Sequence, residues 1–327
     1  MSGGYVPYRL RQNKAVERLA FLELLRKLNR HEACHIPYYS YTGFGGPSLE
    51  DFKLLHNSFG IKKMVSLEGD KRVYKRQEFN KPVSCIECRN EKSGDFLTTF
   101  QRRELSIVWF DFTSAELRLQ IEEFQNLLTK LTEYDVAKIT LNANPSNWAN
   151  SAEARGKELF ELRLATLKES LDDLFTNAID VGMMSNTGFP NALVKIVQHA
   201  TSKAMRPRSD MVFQPLSAFA YADGQQMLTI TGIILRKLEI IPFLKKTEVI
   251  GWQLANTDWG TPKEINVPDF SAKERIYVDS KLPRYSADTI HKWLGLQFSK
   301  KQSESLEMMR IYTELYRHSP YFSEVTI

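Results

Sequence analysis

The sequence predicts an α/β doubly wound fold, a mostly parallel sheet closed by an antiparallel hairpin. Three observations predict it. Two nearly continuous apolar runs, ELSIVWFDF (104–112) and VAKITLNAN (136–144), suit strands buried on both faces of a parallel sheet. Between residues 38 and 144, candidate strands alternate with segments long enough for crossover helices. Finally, Asp223 and Gly224 separate two β-rich runs, DMVFQPLSAFAYA and QMLTITGIILRKLEI, a strong hairpin signal.

The elements follow in order. KAVERLAFLELLRKLN (14–29) sets Val16, Leu19, Leu22, Leu24, Leu25 and Leu28 at mostly helical spacing with charges between them, an amphipathic helix ahead of the main domain. PYYSYTGFGGPSLEDF (37–52) reads as an aromatic strand, a glycine turn and a helix from about Ser48 to Phe59, with Gly60 as its C-cap. KKMVSLEGD (62–70) is a strand with an acidic end. YKRQEFN is a short helix or turn, and KPVSCIECRN a third strand. A helix from about Ser114 to Glu133 joins the two buried strands, and two helices fill 150–207 before the hairpin. The remainder is loop-rich and then helical, over Ala287 to Phe298 and Gln302 to Arg317. The expected organisation is a helical segment 1–36, a core 37–250 with a helical insertion at about 150–207, and an extension 251–327.

Composition excludes several classes. With 43% hydrophobic and 25% charged residues the chain is an ordinary globular one, and no apolar run reaches the ~18 residues of a membrane span. The opening MSGGYVPYRLRQNK lacks an apolar h-region, so no secretory signal is expected. Three cysteines make no disulfide framework, and a reducing cytoplasm is the expected setting. A net charge of +5 from 44 basic and 39 acidic residues is too dilute to signal nucleic acid. The basic cluster KAMRPRSD, with Arg206 and Arg208, has no aromatic platform beside it. Cys34, His35, Cys85 and Cys88 do not show a standard zinc spacing, and no metal is expected. Neither a P-loop nor a Ser-His-Asp order stands out.

Candidate site residues gather where strands end. Gly43, Gly45 and Gly46 either let a ligand approach the backbone or make a tight structural turn. Glu68 ends the second strand 22 residues after Gly46, near the ~20-residue spacing at which a carboxylate accepts ribose hydroxyls. Asp70 competes for that role, and EGD also reads as a polar turn. Asp111 closes a buried run where an aspartate is costly without a partner. It reads as a substrate-orienting group, a general base or a metal ligand, or else as a cap in DFTSAE. Asn142 and Asn144 would line the same edge, and Tyr38, Tyr39 and Tyr41 offer aromatic surface or core.

YTGFGGPSLEDFKLLHNSFGIKKMVSLEGDKRVYKRQEFNKP (41–82), VWFDF, KITLNAN, FAYADGQQMLTITG and INVPDFSAKERIYVDSKLP together resemble a bacterial O-methylase family of the class I S-adenosylmethionine (SAM)-dependent methyltransferases. The resemblance implies a Rossmann-like sheet ending in the antiparallel hairpin. It implies SAM held by Gly43, Gly45, Gly46, Glu68 and Asp70, chemistry at Asp111, and an acceptor held by Tyr41, Asn142 and Asn144. It also implies a link to phage defence, with a protein partner in such a complex. Where such families carry an acidic residue two positions before the first glycine, this chain has Tyr41. That departure leaves a second reading, a degenerate scaffold acting as sensor or partner-binding subunit. A third keeps the pocket for another adenosine compound such as NAD. NANP is only a fragment of the motif for methylating base amines, so base methylation is not expected.

Overall fold

The computed structural model describes residues 11–152 and 154–320. The first ten residues of the expected N-terminal segment, with the leader reading placed on them, lie outside the described residues. So do the last seven of the expected extension.

The elements in chain order are α1 (Gln12–Leu28), β1 (Ser40–Gly43), α2 (Glu50–Phe59), β2 (Lys63–Leu67), α3 (Lys71–Asn80), β3 (Ile86–Arg89), α4 (Ser93–Thr99) and β4 (Ser106–Asp111). Next come α5 (Leu117–Lys130), β5 (Val136–Asn142), α6 (Gly156–Leu171), α7 (Phe189–Met205), β6 (Met211–Asp223), β7 (Gln225–Arg236) and α8 (Ile240–Lys246). The chain ends in β8 (Lys263–Ile265), α9 (Ala272–Asp279), α10 (Ala287–Leu294) and α11 (Gln302–Leu315). Among the described residues, eight strands form one sheet in the order β3-β2-β1-β4-β5-β7-β6-β8, and β7 alone runs antiparallel to its neighbours. The mostly parallel α/β sheet and its antiparallel hairpin are thus present. Gly224 turns the hairpin at φ +103°, a conformation that glycine adopts without strain.

Local chemistry accounts for the boundaries. Gly60 sits at φ 70° and ends α2, as its C-cap position requires. α2 starts two residues later than expected, because Leu49 takes a left-handed conformation (φ 53°) before the helix can begin. α5 buries Leu117, Ile121, Phe124, Leu127 and Leu128, one stripe at helical spacing. α9, which falls in a stretch that reads as loop, is started by a reciprocal capping box between Ser271 and Glu274.

The two faces of the sheet have separate cores. Ile107, Trp109, Val136 and Tyr41 face α1, α2 and the C-terminal helices, while Val108, Phe110, Ala137 and Ile139 face α5 and α7. The N-terminus of α1 lacks a cap from its own sequence, since Arg11 makes no side-chain cap bond. Asp223, at the hairpin tip, supplies it: its carboxylate accepts from the Asn13 N–H at 3.2 Å and the Lys14 N–H at 2.8 Å. Asn13 secures the joint by donating to the Ala222 carbonyl at 2.8 Å. Asp223→Ala should therefore lower stability by about 0.5–2 kcal/mol, the usual cost of a lost N-cap, with Asp223→Asn closer to wild type. Urea unfolding reads this directly, and an unchanged midpoint would show that the carboxylate does not hold the helix.

Candidate functional site

All the parallel strands end at one edge of the sheet, and the predicted site residues lie along it. Gly43 ends β1. A Cβ there would stand 2.7 Å from the Tyr41 hydroxyl and 3.0 Å from the Trp109 carbonyl. At Gly45 a Cβ would collide with Leu49 and reach 2.5 Å from Ser66 Oγ. These two glycines are demanded by the chain's own packing. Gly46 has open space around its Cβ position but φ +51°, so the turn itself selects glycine. Tyr41 is 1% exposed and packs edge-on against Phe52 of α2 at 4.7 Å, beneath the turn rather than at its mouth. Tyr39 is likewise buried and donates to the Tyr134 carbonyl at 3.0 Å.

What the turn presents at the mouth is Phe44. Its ring stacks on Phe110 at 5.5 Å and 8°, and meets Phe112 edge-on at 5.4 Å. Phe44 and Phe112 are half-buried, so two strand ends share an aromatic wall. Sequence reasoning passed over this wall. The only trace of it is a phenylalanine immediately after each of two strands.

The two carboxylates after β2 have different tasks. Asp70 caps α3, accepting from the Arg72 N–H at 2.7 Å and from the Arg72 side chain at 2.9 Å. That guanidinium is the main reason its carboxyl is held down to about 2. Glu68 is half-buried and accepts from the Asp70 N–H at 2.8 Å through Oε1. Burial raises its carboxyl above the usual range, against the pull of the Asp70 and Gly69 N–H groups. Asn90 donates to the Glu68 carbonyl at 2.8 Å, tying the end of β3 to the same corner.

Asp111 ends β4 with its side chain 15% exposed. Both of its oxygens lie 3.4 Å from Lys14 Nζ. Lys14 comes from α1, donates also to the Tyr221 hydroxyl at 3.0 Å, and stands 4.4 Å above the Trp109 ring. Beneath it, Lys138 in the middle of β5 is fully buried between the rings of Trp109 (3.5 Å) and Phe21 (3.9 Å). Its Nζ stands 2.6 Å from Glu17 Oε1 as a buried ion pair. Arg18 donates to Asp51 at 2.6 Å, beside the glycine turn. Three cations and three carboxylates thus lie under α1 and behind the edge. A lysine inside the apolar run VAKITL was the one sequence sign of this cluster, because an interior lysine must find a carboxylate.

Asn142 is a junction. Its Oδ1 accepts from the Asn144 N–H (3.0 Å), Asn147 Nδ2 (3.0 Å) and Gln225 Nε2 (2.8 Å), fastening β5 to the hairpin. Asn144 accepts from the Ser146 N–H at 3.0 Å, and its residue lines a cavity on the far side of the hairpin. Arg208, from the basic cluster, gives its guanidinium to the Leu128 and Leu131 carbonyls at the C-terminus of α5, a helix-capping task. Among the described residues no cluster of His, Cys, Asp and Glu could hold a metal, and no helix is long and apolar enough to cross a membrane. Burial pushes the Cys34 and Cys88 thiols up to about 11.

Against this geometry stand the comparisons. A family described as "Putative O-methyltransferase" matches residues 6–327. No protein of curated function matches the sequence. Among solved structures, the chain is similar to one described as a probable spermidine synthase from Corynebacterium glutamicum, at 10% identity over 79% of this chain and 82% of that one (TM-score 0.41). It is also similar to the O-methyltransferase TomG from Streptomyces achromogenes, solved with SAM, at 13% identity over 70% and 92% (TM-score 0.36). The N-methyltransferase NodS from Bradyrhizobium japonicum matches at 10% over 68% and 97% (TM-score 0.35). At such scores the likeness adds nothing to the strand order given above.

Proposed function

The chain belongs to the O-methyltransferase family that spans residues 6–327, and from that premise we propose that it binds SAM at the carboxyl edge and methylates an acceptor oxygen. The observation that supports this reading most is Glu68. It is a half-buried carboxylate at the end of β2, held by the Asp70 and Gly69 N–H groups and paired with no cation among the described residues. A diol such as a ribose offers two donors to that group. The corner fits an adenosine ligand: Glu68 for the sugar, the open space at Gly46 for a close approach to the backbone, and Phe44 with Phe112 as the apolar wall. Asp70 contributes by shaping α3, since its oxygens already hold the Arg72 backbone and side chain.

When bound, SAM supplies a methyl group on a sulfonium, which needs no further activation. The protein's own contribution is placement, worth about 7–11 kcal/mol in well-oriented reactions. Phe44 and Phe112 keep water from the corner. Asp111 orients an acceptor hydroxyl through a carboxylate that it shares with Lys14, and Lys14 is in turn fixed by Tyr221. Isothermal calorimetry with SAM and S-adenosylhomocysteine tests the reading, with saturable binding of both expected. Silence at millimolar ligand would overturn it, and binding of NAD instead would reassign the pocket.

One observation favours a second reading, a degenerate scaffold that keeps the pocket and serves a partner. Tyr41 replaces the carboxylate of the usual turn and is packed away against α2, while an ammonium already occupies Asp111. Binding of SAM without turnover of any hydroxyl acceptor would select it. A place in a bacterial defence assembly rests on the resemblance alone.

A further inference from the structure

On the face of the sheet opposite α1, the carboxyl edge opens into a cavity of about 390 Å³, inside the roughly 300–1,000 Å³ range of small-molecule sites. The room comes from β6. Its alternate positions facing this side are Ala220 and Ala222, with Gly224 at the turn beyond, so no large side chain fills the space.

Five carboxamides stand in the walls. Asn144 follows β5, Gln226 is the second residue of β7, Asn186 precedes α7 and Asn191 lies in its first turn, and Asn266 follows β8. Two of them are held in place: Gln226 donates to the Asn186 carbonyl at 3.0 Å, and Asn144 accepts from the Ser146 N–H at 3.0 Å. Among the described residues, no hydrogen bond engages the side chains of Asn186, Asn191 or Asn266, or the carboxylate of Glu264. A carboxamide carries a donor and an acceptor side by side, which matches a pair of neighbouring hydroxyls, themselves donors and acceptors. Among the described residues Glu264 is the one charged group in the lining, which holds no lysine, arginine or histidine. A phosphorylated or carboxylated ligand would meet no cation there and would face that carboxylate.

The cavity shares the carboxyl edge with Asp111, whose side chain turns to the α1 face toward Lys14 while the cavity opens on the other face. Asp111 is in register with Thr140 of β5, and Asn144 lies just past the end of that strand. The Asn142 junction to Gln225 then joins β5 to the hairpin that floors the cavity.

We propose that this cavity binds a neutral, polyhydroxylated acceptor, a glycoside unit, whose hydroxyls are read by Asn191, Asn266 and Glu264. The proposal rests on the O-methyltransferase reading in one respect, that the bound ligand offers the oxygen to be methylated. Saturation-transfer NMR on the full chain tests it, with methyl glucoside, maltose and chitobiose as probes and glucose 6-phosphate as the charged counterpart. The neutral saccharides should give transfer signals and the phosphate none. Ala222→Leu, which fills the floor, should abolish the signals. Asn191→Leu, on the wall, should weaken binding at least tenfold and serves if the first variant does not fold. SAM calorimetry on the same samples reports on the rest of the edge. If SAM binds and no neutral saccharide does, the cavity proposal fails while the methyltransferase reading stands. If saccharides bind and SAM does not, the site stands and its acceptor role is overturned. Equal binding to wild type and to a folded Ala222→Leu also overturns it, as does equal binding of glucose 6-phosphate.

Discussion

Glu17→Ala should destabilise the protein by about 3–5 kcal/mol, the cost of stranding a buried charge. Glu17 is 1% exposed and stands between two ammonium groups, Lys138 at 2.6 Å and Lys14 at 3.5 Å. Without it, Lys138 would keep the faces of Trp109 and Phe21 and the more distant Asp51 carboxylate. The double change Glu17→Leu with Lys138→Met should recover most of the loss, because an apolar pair of similar volume removes both desolvation costs. Chemical unfolding of the two variants decides this. A loss below 1 kcal/mol in the single variant would mean that water reaches the pair.

The same lysine predicts a pH dependence. Burial pushes Lys138 down to about 8 from its usual 10.5, against the opposing attraction of Glu17. Between these values the unfolded chain holds the proton and the folded chain does not, so stability rises with pH through that window. Below about pH 8 both states are protonated and the full burial cost is felt. The wild type should therefore gain stability relative to Lys138→Met from about pH 8 to 10.5. A flat difference would show that Lys138 stays charged throughout.

Glu68→Ala should weaken SAM binding by roughly 10- to 100-fold while leaving the fold intact, since a hydrogen bond to a charged group contributes about 1.5–3 kcal/mol. The side chain is half-buried, and its partners within the protein are the nearby Asp70 and Gly69 N–H groups. Little of the fold depends on it, and thermal unfolding should stay close to wild type. Asp70→Ala is the informative contrast. It removes the cap of α3 and should cost stability, about 0.5–2 kcal/mol, more than ligand affinity. If Asp70→Ala abolished binding and Glu68→Ala did not, the assignment of the two carboxylates would be reversed.

Much of the frame was legible because it rests on local rules. The runs at 104–112 and 136–144 are strands buried on both faces, and alternation of strand and helix dictates a parallel sheet. Gly60 and Asp223-Gly224 stop a helix and turn a hairpin through their own backbone preferences. The candidate edge was legible for the same reason, since Glu68, Asp111 and Asn142 each follow or close a strand that periodicity reveals. α9 and its capping box were also within reach of the sequence, through the spacing of Ser271 and Glu274.

What the sequence by itself determined was therefore the order of elements and the edge on which polar residues would collect. Only the tertiary structure decided what each of those residues does there. It gave Asp70 to a helix, packed Tyr41 under the turn, set Lys14 against Asp111, and used Asp223 to cap a helix 209 residues away in the chain. The physical reason is that backbone periodicity is written in neighbours along the chain. A charge partner or a helix cap is chosen by proximity in space, which exists only once distant elements have packed.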